Sequence, residues 1–214
     1  IAAAIMVLVT LAASRHLLPY GGDAGGKLLA LPKGIVTFVG IIACIAFLVE
    51  GAIMDWGGVF LTTVRHFDMS LAGTAFTVFS AAMLTMRLLG DWTVQKLGQE
   101  RVVIGGSLLA VAGFLLVIFA AEPALLYLGF FAIGIGCANV VPVFFSLLGK
   151  QRVMPVSLAV PAVSTLGYLG ILMGPAVIGF IAHQTSLYTA FGLLAFLVLL
   201  QSIIAAYVYR HILD

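Results

Sequence analysis

Residues 34–58 read GIVTFVGIIACIAFLVEGAIMDWGG, a run in which only Glu50 and Asp55 carry charge. It is longer than the roughly 20 apolar residues an α-helix needs to cross a bilayer. Five comparable runs follow, at about Ser70 to Gly90, Val102 to Ala121, Ala124 to Leu148, Ser157 to Ala182 and Leu187 to Tyr209, with short polar or proline-containing breaks between them. The whole chain is 63% hydrophobic and 8% charged, with a mean hydropathy of +1.24. That composition excludes a water-soluble globule. Barrel strands are short and alternate in polarity, so they do not fit runs of this length. The expected fold is all-α, a polytopic membrane helix bundle with six full transmembrane helices over residues 34–214.

Upstream, Ile1 to Ala13 read IAAAIMVLVTLAA, apolar but too short to span. A secretory signal is the competing reading, but no basic stretch precedes the run. The expectation is the end of a truncated transmembrane helix over residues 1–13. Residues 14–33, with Pro19, Gly21, Gly22, Gly25, Gly26 and Pro32, are expected to be a linker.

The net charge of +2 suggests no nucleic-acid partner, and the informative feature is where the ten Lys and Arg fall. Arg15, Lys27, Lys33, Arg87, Lys96, Arg101, Lys150, Arg152 and Arg210 belong to one side of the membrane, and Arg65 stands alone on the other. Cytoplasmic loops are enriched in Lys and Arg, so the linker and C-terminus are expected in the cytoplasm. Cys44 and Cys137 lie inside apolar runs and suggest no disulfide framework. His16, His66, His183 and His211 sit in loops or at helix ends and are read as exposed.

Polar residues at depth are the candidates for function. An ionised carboxylate near the bilayer centre costs on the order of 3 kcal/mol. Glu50 lies nearer mid-span than Asp55, which adjoins Trp56 at the outer end. At 100° per residue the two acids are about 140° apart, so they form no paired-carboxylate site. Glu50 is read as a cavity carboxyl that binds a proton or a polar solute, or else as an acid locking two helices. Asp55 is a further candidate, with solvation or loop bonding as the alternative. Asn139 precedes Pro142, whose ring removes a helical hydrogen bond; it either contacts solute or bonds the opened backbone. Tyr168 either lines the cavity or packs, and Gln201 is read as an interhelical hydrogen bond.

Two segments carry pattern. In RLLGDWTVQKLGQER (87–101), Arg87 and Asp91 are four apart and can pair on a helix end, Gly98 permits a tight turn, and Lys96 and Arg101 face anionic lipid or helix termini. In GYLGILMGPAVIGF (167–180), Gly167, Gly170, Gly174, Pro175 and Gly179 give a low face for close packing or a hinge. An intramembrane enzyme built on Asp55 and Asp91 is disfavoured, because those acids belong at opposite faces. No zinc pair, nucleophile elbow or phosphate loop occurs, and no metal or cofactor is expected.

Gly90, Asp91, Lys96, Gly98 and Arg101 resemble the loop signature that major facilitator transporters carry between the second and third helices of each half. The chain departs from it in having Gln95 at the usual acid and Asp91 at the first glycine. The Gly167 to Gly179 pattern resembles a motif on the fifth helix of a half. With NVVPVFFSLLGK (139–150) and EGAIMDWGGVFL (50–61), the chain is similar to bacterial inner-membrane permeases of the YbjJ type, and more distantly to fucose and glucose/galactose proton symporters.

The resemblance implies the C-terminal half of a 12-helix secondary transporter in the bacterial inner membrane. It further implies a bilayer environment, an N-terminal six-helix half as partner and a small polar solute. The symporter likeness extends this to a sugar-like solute carried with a proton. The implied cavity is lined by the first, second, fourth and fifth helices, which admits Glu50, Asn139 and Tyr168 and demotes Gln201. A non-transporting receptor or scaffold on the same fold is the alternative.

Overall fold

The structure, a computed structural model, describes residues 31–211. The expected truncated helix and all but the end of the expected linker lie outside the described residues. The first span is α1 (Ile35–Val59), which runs on through a π-helical turn at Phe60–Val64. A short 3-10 turn (Met69–Leu71) leads into α2 (Thr74–Leu88), and a brief helix α3 (Gly90–Leu97) joins it to α4 (Gln99–Phe119). The fourth span is broken into α5 (Pro123–Ala138) and α6 (Val140–Leu148). Two long helices, α7 (Val156–Gln184) and α8 (Leu187–His211), complete the described chain.

Among the described residues, six segments are long and apolar enough to cross a membrane, in the order expected. The break expected at residues 91–101 is itself helical except at Gly98. Asp91 in the first turn of α3 and Lys96 in its last turn complement the helix dipole. The Lys96 ammonium also lies 4.4 Å from the Trp92 ring centroid. Gly98 ends the helix at φ 83°, a conformation that favours glycine.

Lipid tails are as apolar as leucine, so helices associate through close packing rather than hydrophobic exclusion of water. Two glycine seams provide it. On α7, Gly170 and Gly174 lie against the backbone of Cys44 and Leu48, Gly167 meets the Phe47 ring and Gly179 the Trp56 ring, all on α1. Trp56 Nε1 donates to the Pro175 carbonyl at 3.1 Å in the same seam. The second seam, absent from the sequence reading, joins α4 to α5: Gly113 faces Gly129, and Gly106 faces Gly136. Each helix brings its two glycines round to one face because they are seven residues apart, close to two turns.

Two apolar clusters result. The larger includes Phe60, Phe79, Phe114, Phe130 and Phe191, and the smaller includes Ile35, Val143, Phe144, Leu148 and Val208 at the end where Lys96, Lys150 and Arg152 gather. Between them in sequence register on their helices sit Ser107, Asn139 and Gln201, all buried. Gln201 Nε2 donates to Ser107 Oγ at 3.1 Å, the interhelical bond expected of it. At the opposite end, Arg65 Nη2 donates to the Val117 and Ile118 carbonyls at 2.8 and 2.7 Å and closes the last turn of α4. Nearby, Asp68 accepts from the Ser70 N–H, which holds its carboxyl below the usual carboxylate range. Cys44 and Cys137 are free thiols.

A side chain at Gly170 would collide with the Cys44 backbone, whereas Gly105 has open space around it. Gly170→Val should therefore destabilise the fold by about 2 kcal/mol or more, and Gly105→Ala should leave it close to unchanged. Thermal unfolding of the two detergent-purified variants checks the contrast.

Candidate functional site

The site is built where α1, α2 and the α5/α6 break meet. Glu50 sits past the middle of α1, and Arg87 is in the last turn of α2. Arg87 Nη2 donates to Glu50 Oε1 at 3.1 Å, an ion pair that spares the carboxylate an uncompensated position among apolar helices. The same guanidinium donates through Nε to the Ala138 carbonyl at 3.3 Å. That acceptor is the one Pro142 leaves open, since proline has no N–H with which to reach four residues back. The helix is interrupted at Asn139, and the arginine supplies the missing donor.

Asn139 answers from the other side. Its Nδ2 donates to the Met86 carbonyl at 3.4 Å. Its Oδ1 approaches so near Gly90 that a Cβ there would lie 2.7 Å away. The end of α2 and the break in the fourth span are thus tied in both directions. Asn139 is buried and bonds the backbone of a neighbouring helix, not the opened backbone of its own.

Glu50 and Arg87 open onto a cavity of about 270 Å³. Its walls are otherwise apolar: Met54 on α1, Phe76, Phe79, Met83 and Leu84 on α2, and Ile171 on α7, with the Ser80 hydroxyl as a further polar group. The Arg87 side chain is 41% exposed and that of Glu50 18%, so the cation is the more accessible partner.

One pairing expected from the sequence is not formed. Arg87 does not pair with Asp91. Helix α2 stops at Leu88 and a new helix starts at Gly90, so the continuous-helix spacing behind that pairing is lost, and Asp91 is exposed. Arg87 therefore belongs to the cavity and not to the connecting segment, while Lys96, Gly98 and Arg101 stay at the basic end. Asp55 is exposed on α1 and outside the cavity lining. Tyr168 is also outside it, with its ring stacked on Phe47 at 6.2 Å between centroids. The sequence carries one signal of a partner for Glu50: Arg87, three residues inside the run ending at Gly90.

Residues 39–212 match the Major Facilitator Superfamily. An uncharacterised MFS-type transporter of Yersinia pestis is 44% identical over 91% of this chain and 51% of its own length. The phosphoglycerate transporter protein of Salmonella typhimurium is 24% identical over 73% of this chain and 35% of its own. The crystal structure of the peptide transporter POT in complex with sulfate superposes with a TM-score of 0.69 at 20% identity, covering 90% of this chain and 40% of that one; this likeness shows the fold alone. The chain spans about half the length of the first curated relatives it matches.

The ion pair makes Glu50 and Arg87 energetically dependent on each other. Glu50→Gln and Arg87→Gln should each destabilise the protein, and the double variant should lose less than the sum, with a coupling of about 1–2 kcal/mol. A double-mutant cycle by thermal unfolding measures that coupling.

Proposed function

The chain belongs to the Major Facilitator Superfamily, and from that premise we propose that it forms the C-terminal six-helix half of a secondary active transporter. The transporter moves a small polar solute by alternating access, and a proton bound at Glu50 drives it. One observation carries the reading: an ion pair between two spans, at the wall of a cavity, and the one salt bridge among the described residues.

Three features support a coupling role for the pair. Intramembrane ionisable groups are costly and mark ion and solute pathways. Glu50 ties α1 to α2, and Arg87 extends the tie to α5 through Ala138. Protonating Glu50 removes the charge that holds this tie, so a proton has a defined preference between a state with the contact and one without it. Only such a differential affinity lets a ligand shift a conformational equilibrium. The matching half is expected to complete the cavity, because transporter sites of this kind lie near the midplane between two repeats. In this reading the basic end, with Lys96, Arg101, Lys150 and Arg152, faces the cytoplasm of a bacterial inner membrane, which the excess of Lys and Arg there supports.

In proteoliposomes, full-length protein carrying Glu50→Gln should lose accumulation driven by an inward proton gradient at least tenfold while still exchanging solute across the membrane. Unchanged gradient-driven uptake in that variant would remove Glu50 from coupling. The 214-residue chain alone should show no uptake.

A further inference from the structure

The donors of Arg87 are only partly used. Nη2 is engaged by Glu50 and Nε by the Ala138 carbonyl, while Nη1 makes no hydrogen bond among the described residues. A guanidinium carries five N–H donors in a rigid planar fork. The one at Arg87 is fixed on one edge by two acceptors from different helices, and its side chain remains 41% exposed at the cavity.

We propose that the solute is a small organic anion, a monocarboxylate with an apolar body, whose carboxylate binds Arg87 in place of ionised Glu50. The proposal rests on the transporter reading and names the substrate class of that same site.

Charge balance gives the first argument. An arginine among apolar helices needs one counter-anion, and in the structure that anion is Glu50. When Glu50 takes up a proton, the position falls vacant and the site carries one uncompensated positive charge. A carboxylate restores neutrality there, and a fork geometry suits it better than a point charge would. Proton and anion then favour each other's binding, so together they cross as a neutral pair.

The cavity lining gives the second. Met54, Phe76, Met83 and Ile171 suit an apolar body, and Ser80 is a further hydroxyl at the wall. A sugar brings several hydroxyls, each penalised if buried without a partner, and this half offers few. An organic cation would meet the Arg87 charge with no spare carboxylate, since the structure pairs Glu50 with it.

The other titratable groups on elements packed around Glu50 do not supply the effect. Cys44 and Asp55 are on α1, Cys137 is on α5 and Tyr168 is on α7, with Asp91 at the start of α3; none lines the cavity. Tyr127 on α5 and His183 on α7 lie towards the far end of the bundle.

The test is protection of purified full-length protein against thermal unfolding by hexanoate, phenylacetate and 4-methyl-2-oxopentanoate. Their neutral amides and galactose serve as comparisons, all between pH 5.5 and 8. At least one carboxylate should raise the melting temperature and its amide should not. Its apparent affinity should fall about tenfold per pH unit once pH exceeds the Glu50 titration, as one linked proton requires. Glu50→Gln should keep the protection and lose its pH dependence. The double variant Glu50→Gln/Arg87→Gln removes both charges together, so folding does not depend on an unpaired ion, and it should lose protection altogether.

Protection by an amide or galactose equal to that by the carboxylate would overturn the proposal. So would protection surviving in the double variant, or no protection by any of the three acids. Proton-driven, Glu50-dependent uptake of galactose would leave the transporter reading standing while sinking the anion. Carboxylate binding with no transport of any solute would do the reverse.

Discussion

Pro142 has no N–H, so the Ala138 carbonyl lacks its helical donor, and in hydrocarbon no water can take the donor's place. The fold supplies Arg87 instead, which brings a cation into contact with the break in the fourth span. That cation in turn needs an anion, and Glu50 on α1 provides it. Three spans are therefore linked by a chain of requirements that starts with one missing hydrogen. Removing any member leaves another polar group stranded, and such groups are expensive in low dielectric.

The rest of the bundle shows what this linkage spans. Glycine seams hold α1 against α7 and α4 against α5 with backbones nearly touching. Packed surfaces of that kind resist gradual deformation and shift as bodies if they shift at all. Helix α1 meets α2 only sparingly, and Glu50–Arg87 crosses that boundary. Through Arg87 the contact continues to α5, so it ties a helix of one seam to a helix of the other.

The parts of this arrangement legible in the sequence were those governed by one-dimensional signals. Apolar length alone located six spans, because a bilayer enforces length. The Gly167 to Gly179 spacing marked a close-packing face, and the structure puts α1 on it. Gln201 found its interhelical partner in Ser107. The rest depended on which helices become neighbours. Arg87 reads in the sequence as a helix-end partner for Asp91 four residues on, although a long side chain near a span end can turn inward as well as outward. The α4–α5 seam needed both glycine pairs to be recognised as complementary, which no single helix reveals. The short helix α3 was hidden because its eight residues are too polar to register as a span, yet contain no proline to forbid a helix.

Arg87 therefore has two roles that sequence position alone treats as separate. Through Nε it acts structurally, satisfying the Ala138 carbonyl whatever the protonation state of Glu50. Through Nη2 it acts electrostatically, in a contact that is strongest while Glu50 is ionised. Anchoring one edge of a guanidinium removes much of the side-chain entropy that a second contact would otherwise cost. The bond to the broken helix thus preorganises the cation, and the energetic difference between the protonated and ionised states of Glu50 is concentrated at Nη2. A lysine would not serve equally well: its ammonium is a rotating point charge, and bonding the carbonyl would not fix where its remaining donors point.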